Sequence, residues 1–88
     1  MSTAASERLV RTLRRHIFDE RVLAAVAAVP RDRFVPRDLL PEAWENIPLP
    51  IGAGQTISQP LVVARMCELL ALRGDERVLD VEIGRAHV

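Results

Sequence analysis

The chain has 88 residues, of which 49% are hydrophobic and 3% aromatic, a composition typical of a globular, helix-rich protein and not of a disordered one. Its 12 basic side chains are all arginine and are balanced by 12 acidic ones, so the net charge gives no strong indication of binding to nucleic acid or to a membrane. This length is too short for a complete doubly wound cofactor-binding fold, which predicts that the chain is one part of a domain.

Two helices are predicted at the start of the chain. Leu9, Leu13 and Ile17 recur at four-residue spacing, which predicts an amphipathic helix from about residue 4 to residue 18. Asp19 is placed to cap a second helix, which Pro30 would end. An arginine-rich first helix leaves open a helical nucleic-acid-binding module as an alternative function. The composition of the second helix disfavours this alternative, because the residues beyond its first turn are mainly alanine and valine and not base-reading side chains.

A basic turn, RDRFVPR, follows from Arg31 to Arg37. Phe34 and Val35 lie between two prolines in this turn, and we expect them to anchor the helical pair onto the segment that follows. Direct contact of the turn with a substrate is the alternative.

The segment from Pro48 to Pro60, PLPIGAGQTISQP, is too polar and too rich in glycine and proline to be core. Gly52 and Gly54 permit a positive φ or a close approach of the backbone to a ligand, while the prolines stiffen the flanking chain. Hydrogen-bonding side chains follow at Gln55, Thr56 and Ser58. This composition predicts a loop that grips a ligand, and a purely structural turn is the alternative because turns use the same residues.

A third helix is predicted to begin near Gln59 and to end at Gly74. Ser58 is placed to cap it, and the N–H groups of that terminus are a potential binding site for a carboxylate. We expect Cys67, the single cysteine, to pack on this helix and not to bind metal, because no Cys or His lies at ligand spacing. The apolar run from Arg77 to Val81 then predicts the first buried strand of a parallel sheet.

Three segments occur in an order that resembles one family. They are AVPRDRFVP at residues 28–36, AWENIPLPIGAGQTISQPLVVARMCELL at residues 43–70 and RVLDV at residues 77–81. Together they are similar to the N-terminal part of the protein-L-isoaspartate O-methyltransferases, over roughly residues 9–81. The GQTISQP stretch is much more distinctive than a lone glycine motif.

The resemblance implies an α/β chain in which N-terminal helices lead into the first strand of a truncated Rossmann-like, S-adenosyl-methionine-dependent methyltransferase fold. It divides the chain into a helical segment (1–42), a substrate and cofactor loop (43–60) and a first helix-strand unit (61–81). It also implies that Ser58 is the active-site residue and that Thr56 and Ser58 contact the substrate. The residues that it places at the cofactor are Gln55, Thr56, Ile57, Ser58 and Asp80. No metal is implied.

The implied reaction is methyl transfer to the free carboxyl group of L-isoaspartyl, and more weakly D-aspartyl, residues in damaged proteins, which begins their repair. The implied enzyme is monomeric, binds neither nucleic acid nor membrane, and works in the cytoplasm, a compartment that also suits a chain with one cysteine and no spanning segment. The last seven residues, EIGRAHV, depart from the family's glycine-rich loop and resemble a translated sequencing adapter. We therefore expect residues 82–88 to be an artefact and this chain alone to be inactive. A non-catalytic remnant is a further alternative.

Overall fold

The structure is a computed structural model that describes residues 3–82 and 85–87, with side-chain burial given for residues 3–79. Its helices are α1 (Ala4–Leu13), α2 (Glu20–Ala28) and α3 (Pro60–Leu70). Two 3₁₀ helices, Arg31–Phe34 and Arg37–Glu42, connect α2 to the strands. The strands are β1 (Leu49–Gly52), β2 (Gln55–Ile57), β3 (Asp80–Glu82) and β4 (Arg85–His87).

Helix α1 begins with a reciprocal capping box. The Thr3 hydroxyl accepts from the Ser6 N–H at 3.1 Å, and the Ser6 hydroxyl oxygen accepts from the Thr3 N–H at 2.8 Å. The helix ends at Leu13, so the predicted end at Phe18 was wrong. The N–H groups of His16 and Ile17 both donate to the Leu13 carbonyl, which tightens the chain into a turn toward α2 and leaves Phe18 79% exposed.

Helix α2 begins as predicted. The Asp19 carboxylate accepts from the Arg21 N–H at 3.0 Å and so satisfies one of the free donors of the first turn. The helix ends at Ala28, two residues before Pro30.

The core lies where the three helices meet. The apolar stripe predicted for α1 is confirmed, because Leu9, Leu13 and Ile17 are buried with α2 Leu23 and α3 Ala64. Trp44 and several aliphatic residues pack around this cluster while remaining partly exposed. Burial of this stripe provides the main stabilisation of the helical unit.

Helix α3 ends by a left-handed cap at a non-glycine residue. Its last helical residue is Leu70, and Ala71 follows with φ 51°. The predicted stop at Gly74 was wrong, because Gly74 lies in a later turn with φ 116°. That turn is closed by the Glu76 carboxylate, which accepts from the N–H groups of Arg73 and Gly74. These hydrogen bonds, the Arg73 one first, lower the pKa of Glu76 below its ordinary value.

A long-range hydrogen bond ties α3 to the turn between α1 and α2. One oxygen of the Glu68 carboxylate accepts from the Phe18 N–H at 2.6 Å and from the Asp19 N–H at 3.0 Å, across about fifty residues of sequence. The backbone donors, Phe18 first, lower the pKa of Glu68 below its ordinary value, and Arg65 acts in the same direction.

The predicted buried parallel strand at residues 77–81 is not formed as expected. Strand β3 begins only at Asp80 and pairs antiparallel with β4, in the register Asp80 to His87 and Glu82 to Arg85. Val78 is 38% exposed and Leu79 is 60% exposed. An apolar run becomes a buried parallel strand only where other strands flank it and helices cover both its faces, and the described residues supply neither. The mixture of helices and strands agrees with the α/β class, and the Rossmann-like sheet stays a prediction.

Candidate active site

The segment from Pro48 to Pro60 contains a β-hairpin. Strands β1 and β2 pair antiparallel, with Leu49 opposite Ile57, Pro50 opposite Thr56 and Gly52 opposite Gln55. The register shifts between Pro50 and Gly52, which indicates a bulge. The structural turn that the sequence left open as an alternative is therefore present, and it fixes where the polar residues of the second strand lie.

Positive backbone angles explain the composition of the hairpin turn. Ala53 and Gly54, its two central residues, have φ of 54° and 72°, the combination required by the tight turns that suit the twist of a hairpin. Gly52 has φ of 102°. A Cβ added at Gly52 or Gly54 would have no heavy atom within 4 Å, so both glycines serve the conformation and not a close approach to other described atoms.

The four consecutive residues predicted at the cofactor lie along β2 and just after it. Gln55 and Ile57 are half-buried, and Ile57 lines an apolar cavity of about 520 Å³ between α2 and α3. Thr56 is exposed, as expected for the residue that alternates with them along a strand. Ser58 follows the strand and is half-buried. The hairpin thus brings Gln55, Thr56, Ile57 and Ser58 together, whereas Asp80 opens β3 and its side chain lies outside the described part.

Ser58 is not the cap of α3, which corrects the sequence-based prediction. The N-cap residue is Gln59, whose side chain makes no capping hydrogen bond. Instead, Asn46 Oδ1 accepts from the Leu61 N–H at 2.9 Å, and the N–H groups of Val62 and Val63 donate to the Gln59 carbonyl. Pro60 has no N–H, so the donors of the first turn already have acceptors. The expected carboxylate site at this helix terminus is therefore not supported.

The Ser58 backbone and side chain differ in their hydrogen bonding. Its carbonyl oxygen accepts from Arg31 Nη1 at 3.1 Å. Its hydroxyl has no hydrogen bond within the described part of the chain, so it retains both a donor and an acceptor for a ligand.

Arg31 binds three backbone carbonyls with one guanidinium group. Nε donates to the Ala43 carbonyl at 2.6 Å, and Nη2 donates to the Ile47 carbonyl at 3.0 Å, in addition to the Ser58 contact. Burial lowers the pKa of Arg31 below its ordinary value. The basic turn docks onto the following segment through the Arg31 hydrogen bonds. Of the two residues predicted to anchor it, Phe34 is 58% exposed and Val35 is half-buried.

Sequence reasoning missed the roles of Arg31 and Asn46. Both act on segments 12 to 27 residues away, so no local pattern reveals their partners. The residue types carried the only available indication: arginine has five donors in a planar fork, and asparagine is a strong capping residue.

The cavity beside Ile57 is lined mainly by aliphatic side chains of α2 and α3, together with Phe34 and Trp44. Cys67 also lines it and is half-buried, in keeping with a packing role. Within residues 3–82 and 85–87, no three His, Cys, Asp or Glu side chains form a group that could hold a metal ion. In the same part of the chain, no helix is long and apolar enough to cross a membrane.

Comparison with known proteins identifies the family. Three curated relatives are named protein-L-isoaspartate O-methyltransferase. The one from Photorhabdus laumondii is 51% identical over 88 residues, which are 99% of this chain and 42% of the relative. Those from Klebsiella pneumoniae (strain ATCC 700721 / MGH 78578) and Yersinia pestis (strain Pestoides F) are 56% and 58% identical over 71 residues, which are 81% of this chain and 34% of each relative.

The chain therefore spans about two fifths or less of these relatives. A family model described as protein-L-isoaspartate(D-aspartate) O-methyltransferase matches residues 4–87. That match extends six residues past Val81, into the heptapeptide that was expected to be an artefact, and the expectation itself stays a prediction. Residues 83, 84 and 88 of the heptapeptide lie outside the described part. Since the match covers nearly the whole chain and agrees with these relatives, the chain belongs to the protein-L-isoaspartate(D-aspartate) O-methyltransferase family of enzymes.

Proposed function

We propose that the protein to which this chain belongs methylates the free α-carboxyl group of L-isoaspartyl residues, and more weakly of D-aspartyl residues, in damaged proteins, with S-adenosyl-methionine as methyl donor. The observation that carries the proposal is the match of residues 4–87 to the family model, together with relatives that are named for this activity. Ser58 fits a ligand-binding role, because its hydroxyl hydrogen-bonds no described group and Arg31 holds its backbone carbonyl. Family membership favours this enzyme over the nucleic-acid-binding module.

The residues of the hairpin fit the proposed ligands. Gln55, Thr56 and Ser58 offer amide and hydroxyl donors, and Ile57 offers an apolar contact beside the cavity. These groups suit a ligand with carboxylate and hydroxyl groups next to an apolar portion, such as S-adenosyl-methionine. We assign cofactor contacts to residues 55–58 and to Asp80. We assign substrate contacts to Thr56 and Ser58.

When bound, S-adenosyl-methionine supplies a methyl group on a positively charged sulfur that is already activated for transfer. The acceptor carboxyl group is ionised at neutral pH, so it is already a nucleophile and no residue of the chain has to remove a proton from it. The contribution of the chain is alignment. A donated hydrogen bond from the Ser58 hydroxyl would orient one carboxylate oxygen and leave the other directed at the reacting carbon, and orientation of this kind accounts for several kcal/mol of many barriers.

The test uses a chimeric enzyme in which residues 4–81 of this chain replace the matching part of the Photorhabdus laumondii relative. We expect the chimera to methylate a peptide that contains L-isoaspartate. Replacing Ser58→Ala should lower kcat/KM at least about tenfold, or 1.4 kcal/mol of transition-state stabilisation. Thr12→Ala is the control, because Thr12 is an exposed residue of α1 whose hydroxyl donates only within that helix. Unchanged turnover in Ser58→Ala would remove Ser58 from the mechanism.

The location and assembly of the enzyme are part of the same proposal. We propose a monomer that acts in the cytoplasm on damaged proteins, where a chain with a single free cysteine is compatible with a reducing environment. Sedimentation of the chimera at several concentrations tests the monomer, which a concentration-dependent mass would contradict.

A further inference from the structure

We propose that Arg31 and Asn46 are positioning residues for Ser58, which hold the backbone on its two sides and so fix the direction of its hydroxyl. This inference rests on the proposed function. It concerns residues that neither touch the reacting groups nor belong to the GQTISQP motif.

Ser58 lies outside regular secondary structure. Strand β2 ends at Ile57 and α3 begins at Pro60, so Ser58 and Gln59 belong to neither element. Pro60 has no N–H with which to form a hydrogen bond there. Ser58 thus lies between a paired strand residue, Ile57, and the N-cap residue of α3, Gln59, and side chains from elsewhere in the chain add further contacts to this short link.

Two side-chain contacts hold the chain on either side of the link between Ser58 and α3. Arg31 Nη1 donates to the Ser58 carbonyl at 3.1 Å, before the helix begins, and Asn46 Oδ1 accepts from the Leu61 N–H at 2.9 Å, inside its first turn. The four residues from Ser58 to Leu61 are thus held at both ends.

Arg31 also contacts the segment that contains Asn46. Arg31 Nη2 donates to the carbonyl of Ile47, the neighbour of Asn46, and Arg31 Nε donates to the carbonyl of Ala43. Arg31 therefore holds the segment from Ala43 to Ile47, which contains Asn46. It also holds Ser58, which Asn46 helps to position. Displacement of the guanidinium would loosen both ends of the Ser58 segment.

The chemistry of arginine suits the positioning role. A guanidinium presents donors in a rigid planar fork and can serve three carbonyls at once, whereas a lysine ammonium on a flexible stem cannot reproduce that arrangement. Three of the five N–H donors of Arg31 bind backbone carbonyls, so the fold itself holds the guanidinium in place.

The first experiment measures positioning in the 88-residue chain, independently of catalysis. Amide hydrogen exchange followed by NMR should show the Leu61 N–H exchanging at least about fivefold faster in Asn46→Ala, and at close to the parent rate in Asn46→Asp, which keeps an acceptor oxygen. Arg31→Lys should also accelerate exchange at Leu61, while Arg33→Lys, an exposed neighbour in the same 3₁₀ helix, should not. Equal Leu61 exchange rates in the parent, Asn46→Ala and Arg31→Lys would overturn the proposal, whatever the activity.

The second experiment measures the consequence in the chimeric enzyme. Arg31→Lys and Asn46→Ala should each lower kcat about tenfold at saturating peptide and cofactor, with the Kd for S-adenosyl-methionine changed less than about threefold. Asn46→Asp should restore most of the kcat. A kcat within twofold of the parent in both variants, or an equal loss in Asn46→Ala and Asn46→Asp, would contradict the positioning role. An inactive parent chimera would contradict the proposed function and leave the exchange measurement to decide the positioning role.

Discussion

The glycine that ends β1 provides the sharpest test of the hairpin. Gly52 has φ of 102°, outside the range that L-residues readily adopt, and a Cβ at this position would meet nothing within 4 Å. The whole effect of Gly52→Ala should therefore come from the backbone. Such conformations cost a non-glycine residue about 1 to 3 kcal/mol, and alanine regains about 0.4 to 1 kcal/mol by restricting the unfolded chain. The expected net loss is about 1 to 2 kcal/mol.

Thermal and urea unfolding of the 88-residue chain, followed by circular dichroism, measures this loss. At 4 to 8 °C per kcal/mol for a domain of this size, the midpoint should fall by about 5 to 15 °C. Ala53→Gly is the matched control, because Ala53 has φ of 54° and glycine relieves its left-handed strain, so the stability should stay level or rise slightly. If Gly52→Ala unfolded at the same midpoint as the parent, the positive φ and the hairpin geometry that places Ser58 would both be refuted.

Two further predictions concern the helical unit. Glu68→Gln should lower stability at neutral pH, because the backbone donors of Phe18 and Asp19 lower the pKa of Glu68 in the folded chain. That contribution is present above the unfolded pKa, about 4.3, and is lost as the pH falls through the lowered folded pKa, so urea midpoints of parent and variant should converge on acidification. A difference in urea midpoint between the parent and Glu68→Gln that persisted at acid pH, and that exceeded the difference for the exposed control Glu45→Gln, would contradict this prediction. Leu13→Ala should cost about 2 to 5 kcal/mol in urea unfolding, because Leu13 is fully buried, whereas Leu40→Ala at a 45% exposed site should cost less than about 1 kcal/mol; equal losses would place the core elsewhere.

Local sequence patterns predicted the local structure well. The spacing of Leu9, Leu13 and Ile17 identified the buried stripe, and Asp19 caps α2 through its own carboxylate. These two predictions were correct because periodicity and capping depend on residues within one or two helical turns of each other. The same local logic missed the end of α3, because Ala71 adopts a left-handed conformation that composition assigns to glycine.

The contacts that organise the candidate site are long-range and were not predictable. Arg31 reaches Ser58 across 27 residues, and Glu68 reaches Phe18 across 50. Ser58 looked like the cap of α3 because serine favours that position, yet Asn46 supplies the acceptor from a distant connector. The predicted strand at residues 77–81 failed for a related reason, because its burial depends on neighbouring strands and covering helices and not on its own side chains.

Methyl ester formation on a synthetic peptide is the direct test of the proposed methyl transfer. The chimera carrying residues 4–81 is incubated with S-adenosyl-methionine and with either an L-isoaspartyl peptide or the same peptide containing ordinary aspartate, and the ester is quantified by mass spectrometry. We expect ester on the isoaspartyl peptide only, and a loss of at least about tenfold in Ser58→Ala. A folded chimera that binds S-adenosyl-methionine yet forms no ester, or forms it equally on both peptides, would refute the proposed function.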